Sequence, residues 1–407
     1  MYQAVDIGTT GTATHPIVIS ATHLEKAVFA SGTVHLSGAA YTTLSGFTFS
    51  GSSFVQMTAC NHCRVTASWF KGSAANFVDI LGPNSDANRV DHSEFGPKAQ
   101  QGHFIHVSGT AAGIAAHTQI DHNYFHDIAS GSQGGESIQL GAIGPSGDYQ
   151  NIYTIIEDNL FVNCDGDAEI ISVKSSSNTI RYNTIKTSTG MIVLRAGNND
   201  SVYGNFILGG GKAGAGGIRL YENNHTIYNN YIETVDQPLI VGGGSPAGTS
   251  GGHAQVKNAR IVNNTFIGQS NGVIFGFGSD AVLPPDHMAF ANNIVQVGGG
   301  TAIDARLTPT SPTYVSNILS LQRGAKAGIS GSQFHVQNPK LTRVGAILKL
   351  SSSSPAIKAG SKNYPFVADD VDGQPRATPP DIGADQFSSA PVIRVPLTPA
   401  NVGPNAP

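Results

Sequence analysis

Charge is scarce in this 407-residue chain: Asp, Glu, Lys and Arg together make up 12%, about half the usual share. There is no basic surplus either. The net charge is −4, whereas a chain that wraps nucleic acid needs cations to match the phosphates. Long apolar runs are missing, and none approaches the roughly 18 residues that a membrane-spanning helix requires. Cysteine is limited to Cys60, Cys63 and Cys164, too few for a disulfide framework. Cys60-Asn-His62-Cys63 has half the spacing of a zinc site, but no second Cys or His pair completes four ligands. All three cysteines therefore read as buried thiols. The opening Met1-Tyr2-Gln3-Ala4-Val5 lacks the basic start and apolar core of an export leader. Glycine and proline, by contrast, are abundant at 49 and 21 residues, too many breakers for a mainly helical protein. Hydrophobic residues at 40% supply a large core, which excludes wholesale disorder.

A short phrase recurs along most of the chain. It stands as Asn123-Tyr-Phe125, Asn159-Leu-Phe161, Asn183-Thr-Ile185, Asn205-Phe-Ile207, Asn230-Tyr-Ile232, Asn264-Thr-Phe266, Asn293-Ile-Val295 and Asn317-Ile-Leu319. Upstream it begins with a smaller residue, at Gly46, Ser68 and Ser93. Successive starts lie 22 to 36 residues apart with a floor of 22 to 25, the signature of a solenoid whose turns carry inserted loops. Between the phrases lie β-branched runs of strand length, such as Ile170-Ile-Ser-Val173 and Met191-Ile-Val-Leu194. The pattern predicts an all-β, single-domain, right-handed parallel β-helix of about eleven coils. Its Asn residues form a ladder, pairing with the backbone of neighbouring coils at a tight bend. Leucine-rich repeats are excluded because the LxxLxL spacing is absent.

The phrase stops near Gln333, which places the β-helix at 1–332. A C-terminal cap over the last coil follows at 333–387, carrying Ser354-Pro-Ala-Ile357 and Pro380-Asp-Ile-Gly-Ala-Asp385, then a loose Pro/Ala-rich tail at 388–407. Insertions at 131–150 and 242–257 are candidate walls of a binding groove.

On a β-helix, residues one coil apart in sequence are neighbours in space. Lys174 lies 9 residues before Asn183, Arg195 lies 10 before Asn205, and Arg219 lies 11 before Asn230. Each closes an apolar run, so the three are expected to stack on consecutive coils. Cations ~5 Å apart repel one another, and an anion between them would relieve that. Just before Lys174 comes Asp165-Gly-Asp167-Ala-Glu169, whose carboxylates are candidate oxygen ligands for a hard cation such as Ca2+. Gln133, Glu136 and Gln139 on the preceding inserted coil are candidates to complete the set. The alternative is an acidic turn that simply pairs with the cations.

Glu169-Ile-Ile-Ser-Val-Lys174-Ser, Asn178-Thr-Ile-Arg181-Tyr-Asn183-Thr and Leu194-Arg195-Ala196-Gly-Asn198 resemble polysaccharide lyase family 6, which contains alginate lyases and chondroitinase B. Gly217-Ile-Arg219 and His225-Thr-Ile-Tyr-Asn229-Asn230-Tyr are similar too, and the resemblance runs from about Thr12 to Gln386. It implies cleavage of an anionic, uronate-containing polysaccharide by β-elimination, with Lys174 as base and Arg195 as acid or electrostatic stabiliser. It further implies substrate contacts at Arg219 and His225, Ca2+ on Asp167 and Glu169, and a secreted or periplasmic place; Glu136 and Gln139 are added as candidate substrate contacts from the preceding coil. Lys174, flanked by Arg195, is expected to have its ammonium destabilised by like charge, which frees an amine base. Two departures stand out: Ala196 where the family usually has His, and Asp167 where Glu is usual. Alginate is the expected polymer, with dermatan sulfate or chondroitin as the alternative. A weakened or non-catalytic carbohydrate-binding β-helix is the non-enzymatic reading. Glycoside hydrolysis is disfavoured because no GHG or RIK phrase accompanies Asp165 and Asp167.

Overall fold

The computed structural model describes residues 4–131, 133–142, 149–247, 249 and 251–407. Almost every regular element is a short strand, and the strands form parallel ladders in three long sheets: a parallel β-helix. The chain divides into two compact units, residues 1–197 with 397–407, and residues 198–396. That division falls within the repeat.

In the first unit one sheet is built from Val5–Ile7, Thr33–Ser37, Phe54–Thr58, Val78–Leu81, Ile105–Thr110, Ile138–Gly141, Glu169–Lys174 and Gly190–Ala196. Alternation puts every second side chain inside. Val34, Val55, Val78, Ile105, Ile138, Ile171 and Ile192 fall in register as one buried column. Another sheet stacks Phe49, Phe70, Phe95, Phe125 and Phe161 face to face, with ring centroids 4.6 to 4.9 Å apart. That distance is the strand spacing itself, so each ring sits at a favourable stacking distance from the next without adjustment.

The Asn ladder forms as expected. Asn159 Nδ2 donates to Ile120 O at 2.8 Å and to Glu157 O at 2.9 Å, and its Oδ1 accepts from the Asn123 backbone N–H at 2.9 Å. The second unit repeats the pattern from Asn205 through Asn230, Asn264 and Asn293 to Asn317. Upstream, Ser93 and Ser68 hydroxyls take the same place. The bend itself is made by the residue before each ladder position, which is left-handed: φ is 54° at His122, 53° at Asp158, 58° at Tyr182 and 52° at Asn229. Asn159→Ala would strand at least three buried backbone partners and should cost about 3 kcal/mol, read as a lowered unfolding midpoint in denaturant. A midpoint equal to that of the parent would mean the ladder is not a stabilising element.

Three expectations are corrected. Cys60 and Cys63 form a disulfide, while Cys164 is a buried free thiol. The cap does not only close the last coil but runs along the flank of the second unit. Its Ile347, Val371 and Ala384 pack on Phe206, Tyr231 and Ile267, while Leu350, Ala356 and Ile382 pack on Ile294 and Ile318. Left-handed Asn229, Asn263 and Asn292 point their amides outward and donate to Asp369 O, Asp381 O and Ser361 O. Nor is the end of the tail loose. Leu397 exchanges hydrogen bonds with Thr184 and Lys186, and Gly403 N donates to His122 O.

Candidate active site

Lys174 ends the strand Glu169–Lys174 and lies on the outer face of its sheet, with its side chain 12% exposed. Its Nζ donates to Gln139 Oε1 at 2.8 Å and lies 3.4 Å from Glu136 Oε1. Both partners come from the previous coil, so Glu136, Gln139 and Lys174 do converge. Arg195 enters differently from the expected direct stack. The ladder pairs Val173 with Leu194 but Lys174 with Ala196, which leaves Arg195 as the extra residue of a bulge. Bulges redirect a side chain, and the Arg195 guanidinium turns to Glu169 Oε1 at 2.7 Å. The other oxygen of Glu169 accepts from the Ser172 hydroxyl.

The two cations are therefore neutralised by carboxylates and do not confront each other, as in the alternative of an acidic turn paired with the cations. Glu136 is the most strongly perturbed of these acids. Burial by itself would raise its carboxyl, but hydrogen bonds from His103 and its own backbone N–H, with the Lys174 charge, hold it down at about 2. Asp167 moves the other way, pushed up by partial burial and by the charges of Glu136 and Glu169.

Sequence reasoning missed a supporting layer on the same face. His103 Nε2 lies 3.1 Å from Glu136 Oε2, and its Nδ1 lies 2.9 Å from Asn76 Oδ1. Asn76 Nδ2 donates to Asp79 Oδ1 at 2.8 Å, and Asp79 faces His106 Nδ1 at 3.3 Å. His106 Nε2 reaches the Gln139 amide at 3.3 Å and stacks on the His103 ring, centroids 4.9 Å apart. Asp79, His106 and Gln139 are strict register partners. The network closes a loop of polar side chains from Lys174 through Glu136, His103, Asn76, Asp79 and His106 back to Gln139.

Two expected substrate contacts belong to the second unit. Arg219 is half-buried on the strand Ala215–Leu220, with its guanidinium carbon 6.0 Å from the Tyr221 ring centroid. His225 is a correction. It is fully buried, its Nε2 lies 2.7 Å from Tyr221 O, and its Nδ1 accepts from the Asp200 N–H at 3.2 Å. Desolvation pulls its imidazole down to about 4, so it is a neutral core histidine without access to a polysaccharide.

Groups that could bind a metal do exist. Among the described residues, His92, Asp121 and His122 bring ligand atoms within 4.8 Å of one another, as do Asp370, Asp372 and Asp385. Asp167 and Glu169 are in neither group. Both oxygens of Glu136 and of Glu169 already face donors, and Asp167 Oδ1 accepts from the Glu169 N–H at 3.1 Å, so an ion on Asp167 and Glu169 would have to displace these contacts. Among the described residues no helix is long and apolar enough to cross a membrane.

Several solved structures share the fold. A mannuronic acid specific polysaccharide family 6 lyase from human gut microbiota matches with a TM-score of 0.69 at 23% identity, covering 83% of each chain. The family 6 alginate lyase AlyGC matches with a TM-score of 0.75 at 24% identity over 96% of this chain, which spans 55% of that one. A family 6 alginate lyase in complex with a trisaccharide matches with a TM-score of 0.69 at 21% identity, covering 86% of this chain and 83% of that one. No curated protein matches. The model of the chondroitinase B family matches residues 1–297, almost three quarters of the sequence. The chain belongs to that family, polysaccharide lyase family 6.

Proposed function

We propose that this protein cleaves alginate by β-elimination. The observation that carries the reading is a lysine held by Glu136 and Gln139 on one side of a bulge, with the redirected Arg195 guanidinium held by Glu169 on the adjoining coil. Elimination removes the weakly acidic C5 proton of a uronate and expels the C4 oxygen. Once its ammonium has given a proton to solvent, Lys174 accepts the C5 proton. Electrons move from the C–H bond into a new C4–C5 double bond, and the glycosidic oxygen leaves. Arg195 stabilises the departing alkoxide electrostatically, since a guanidinium scarcely deprotonates, and water supplies the proton. Glu136 and Gln139 hold the lysine in place through two fixed contacts, which preserves its aim on the sugar. We keep Arg219 as a substrate-carboxylate contact, a role carried by the resemblance.

The alginate reading is supported by structural relatives that are described as alginate or mannuronic-acid lyases. The name of the family model favours a second reading, dermatan sulfate. A place outside the cytoplasm follows from a polymeric substrate and is part of the proposal. Because the carboxylates near Lys174 are engaged by protein donors, no step is routed through Ca2+. One experiment tests these points together: ultraviolet absorbance of the unsaturated uronate, followed on alginate and on dermatan sulfate, with and without EDTA. The expected result is a rise on alginate that EDTA leaves unchanged. A rise only on dermatan sulfate would replace the substrate, loss with EDTA would restore the metal, and silence on both would leave a carbohydrate-binding β-helix.

A further inference from the structure

We propose that Lys98 is a positioning residue of this site: a cation built into the β-helix interior that fixes the backbone carrying Asn76 and His103. The inference rests on the lyase reading and adds a residue to it.

Lys98 is 1% exposed, a rarity for lysine. It ends the strand Glu94–Lys98, and its register partner on the next coil is Ile128, followed by Cys164. Both are buried, so an ammonium stands where the later coils place an apolar side chain. Burying such a charge costs several kcal/mol unless its donors are fully used. Here they are used on backbone. Nζ donates to Ala74 O at 2.6 Å and Ala75 O at 2.7 Å, approaches His103 O at 3.4 Å, and lies 4.2 Å from the Phe77 ring centroid. Among the described residues no carboxylate pairs with it. Asp79 contributes charge from further away, and burial pulls the ammonium down to about 7.

The consequence lies one residue beyond these carbonyls. Ala75 precedes Asn76, whose Oδ1 accepts both the backbone N–H of His103, at 3.1 Å, and its ring nitrogen. His103 in turn faces Glu136, which faces Lys174. Lys98 thus clamps the two segments from which Asn76 and His103 project. These two side chains orient the carboxylate beside the proposed base. Lys98 itself touches neither substrate nor Lys174.

The test compares Lys98→Met, which keeps the stem and removes the charge, with Phe77→Leu, which loosens the packing under Nζ and leaves the carbonyl contacts in place. Two readouts are needed: kcat and KM on alginate at a temperature where each variant is folded, and the His103 imidazole signals in ¹⁵N-correlated NMR. Lys98→Met should lower kcat by about tenfold or more with KM nearly unchanged and should shift the His103 signals. Phe77→Leu, which keeps the carbonyl contacts of Nζ, should lower kcat and move the His103 signals clearly less than Lys98→Met does. Should Lys98→Met fail to fold, Lys98→Gln retains two donors and should show an intermediate loss of kcat. Parental kcat in the folded Lys98 variant, or an unmoved His103, would overturn the proposal. If the parent protein cleaves no uronate polymer, the lyase reading falls. The NMR comparison alone then decides whether Lys98 positions His103.

Discussion

Lys174→Met is expected to abolish formation of unsaturated uronate, lowering kcat by roughly 10³-fold or more. A positioned base is worth about 10² to 10⁴ in rate, and neither Glu136 nor Gln139, the partners of Lys174 Nζ, offers an amine to replace it. Methionine keeps the aliphatic stem, so the strand Glu169–Lys174 and its register with Ile138–Gly141 should persist. The substitution frees Glu136 Oε1 and Gln139 Oε1 from one cation, while Glu136 keeps its contact with His103 and the Gln139 amide keeps Gly141 O and His106. The circular dichroism spectrum and unfolding midpoint should stay close to the parental ones. Turnover is measured by ultraviolet absorbance on alginate. Activity within a factor of about three of the parent's would remove Lys174 from the role of base and with it the proposed mechanism.

The second large effect concerns stability. In the cap, Asp370, Asp372 and Asp385 are buried together, and Lys349 pairs with Asp372. Asp385 accepts one hydrogen bond, from Leu350 N at 2.7 Å. Burial pushes its carboxyl up to about 7, and the charges of Asp372 and Asp370 add to the rise. A folded-state value above the unfolded one means that the native cap binds the extra proton. The associated stability is complete below about pH 4, where both states are protonated, and drains away as pH climbs to about 7. Ionising Asp385 in place costs up to about 4 kcal/mol on this scale. The unfolding midpoint of the parent should therefore fall between pH 5 and pH 8. Asp385→Asn, which keeps an oxygen for Leu350 N and carries no charge, should flatten that dependence and exceed the parent at pH 8. A parent as stable at pH 8 as at pH 5, or an Asn variant weaker at pH 8, would sink the assignment.

Much of the fold was legible because a β-helix repeats one physical problem on every coil. Each turn needs a left-handed residue and a buried amide beside it, so Asn recurs at the ladder position. Each sheet needs an inward residue, so β-branched and aromatic side chains recur at fixed offsets. Lys174, Glu136, Gln139, Arg195 and Glu169 were legible for a related reason, since neighbours in space lie one coil apart in sequence. What failed was finer than a coil. The bulge after Val173 puts Lys174 beside Ala196, and no residue pattern announced it. His103 and His106 escaped notice because the stretch between this sheet and the ladder bend varies in length. Asp79, His106 and Gln139 are register partners, yet they stand 14, 17 and 20 residues before their ladder positions.

The amino-acid sequence alone determined the solenoid, its ladder and the identity of the basic side chains along it, because local propensity and one-coil periodicity act over short stretches of chain. Tertiary structure decided which acid each cation faces, that His225 is enclosed, that the cap runs along the flank, and that an ammonium lies inside the β-helix beneath His103. These depend on side chains brought together across loops of unequal length, and their energies arise only once the coils are stacked.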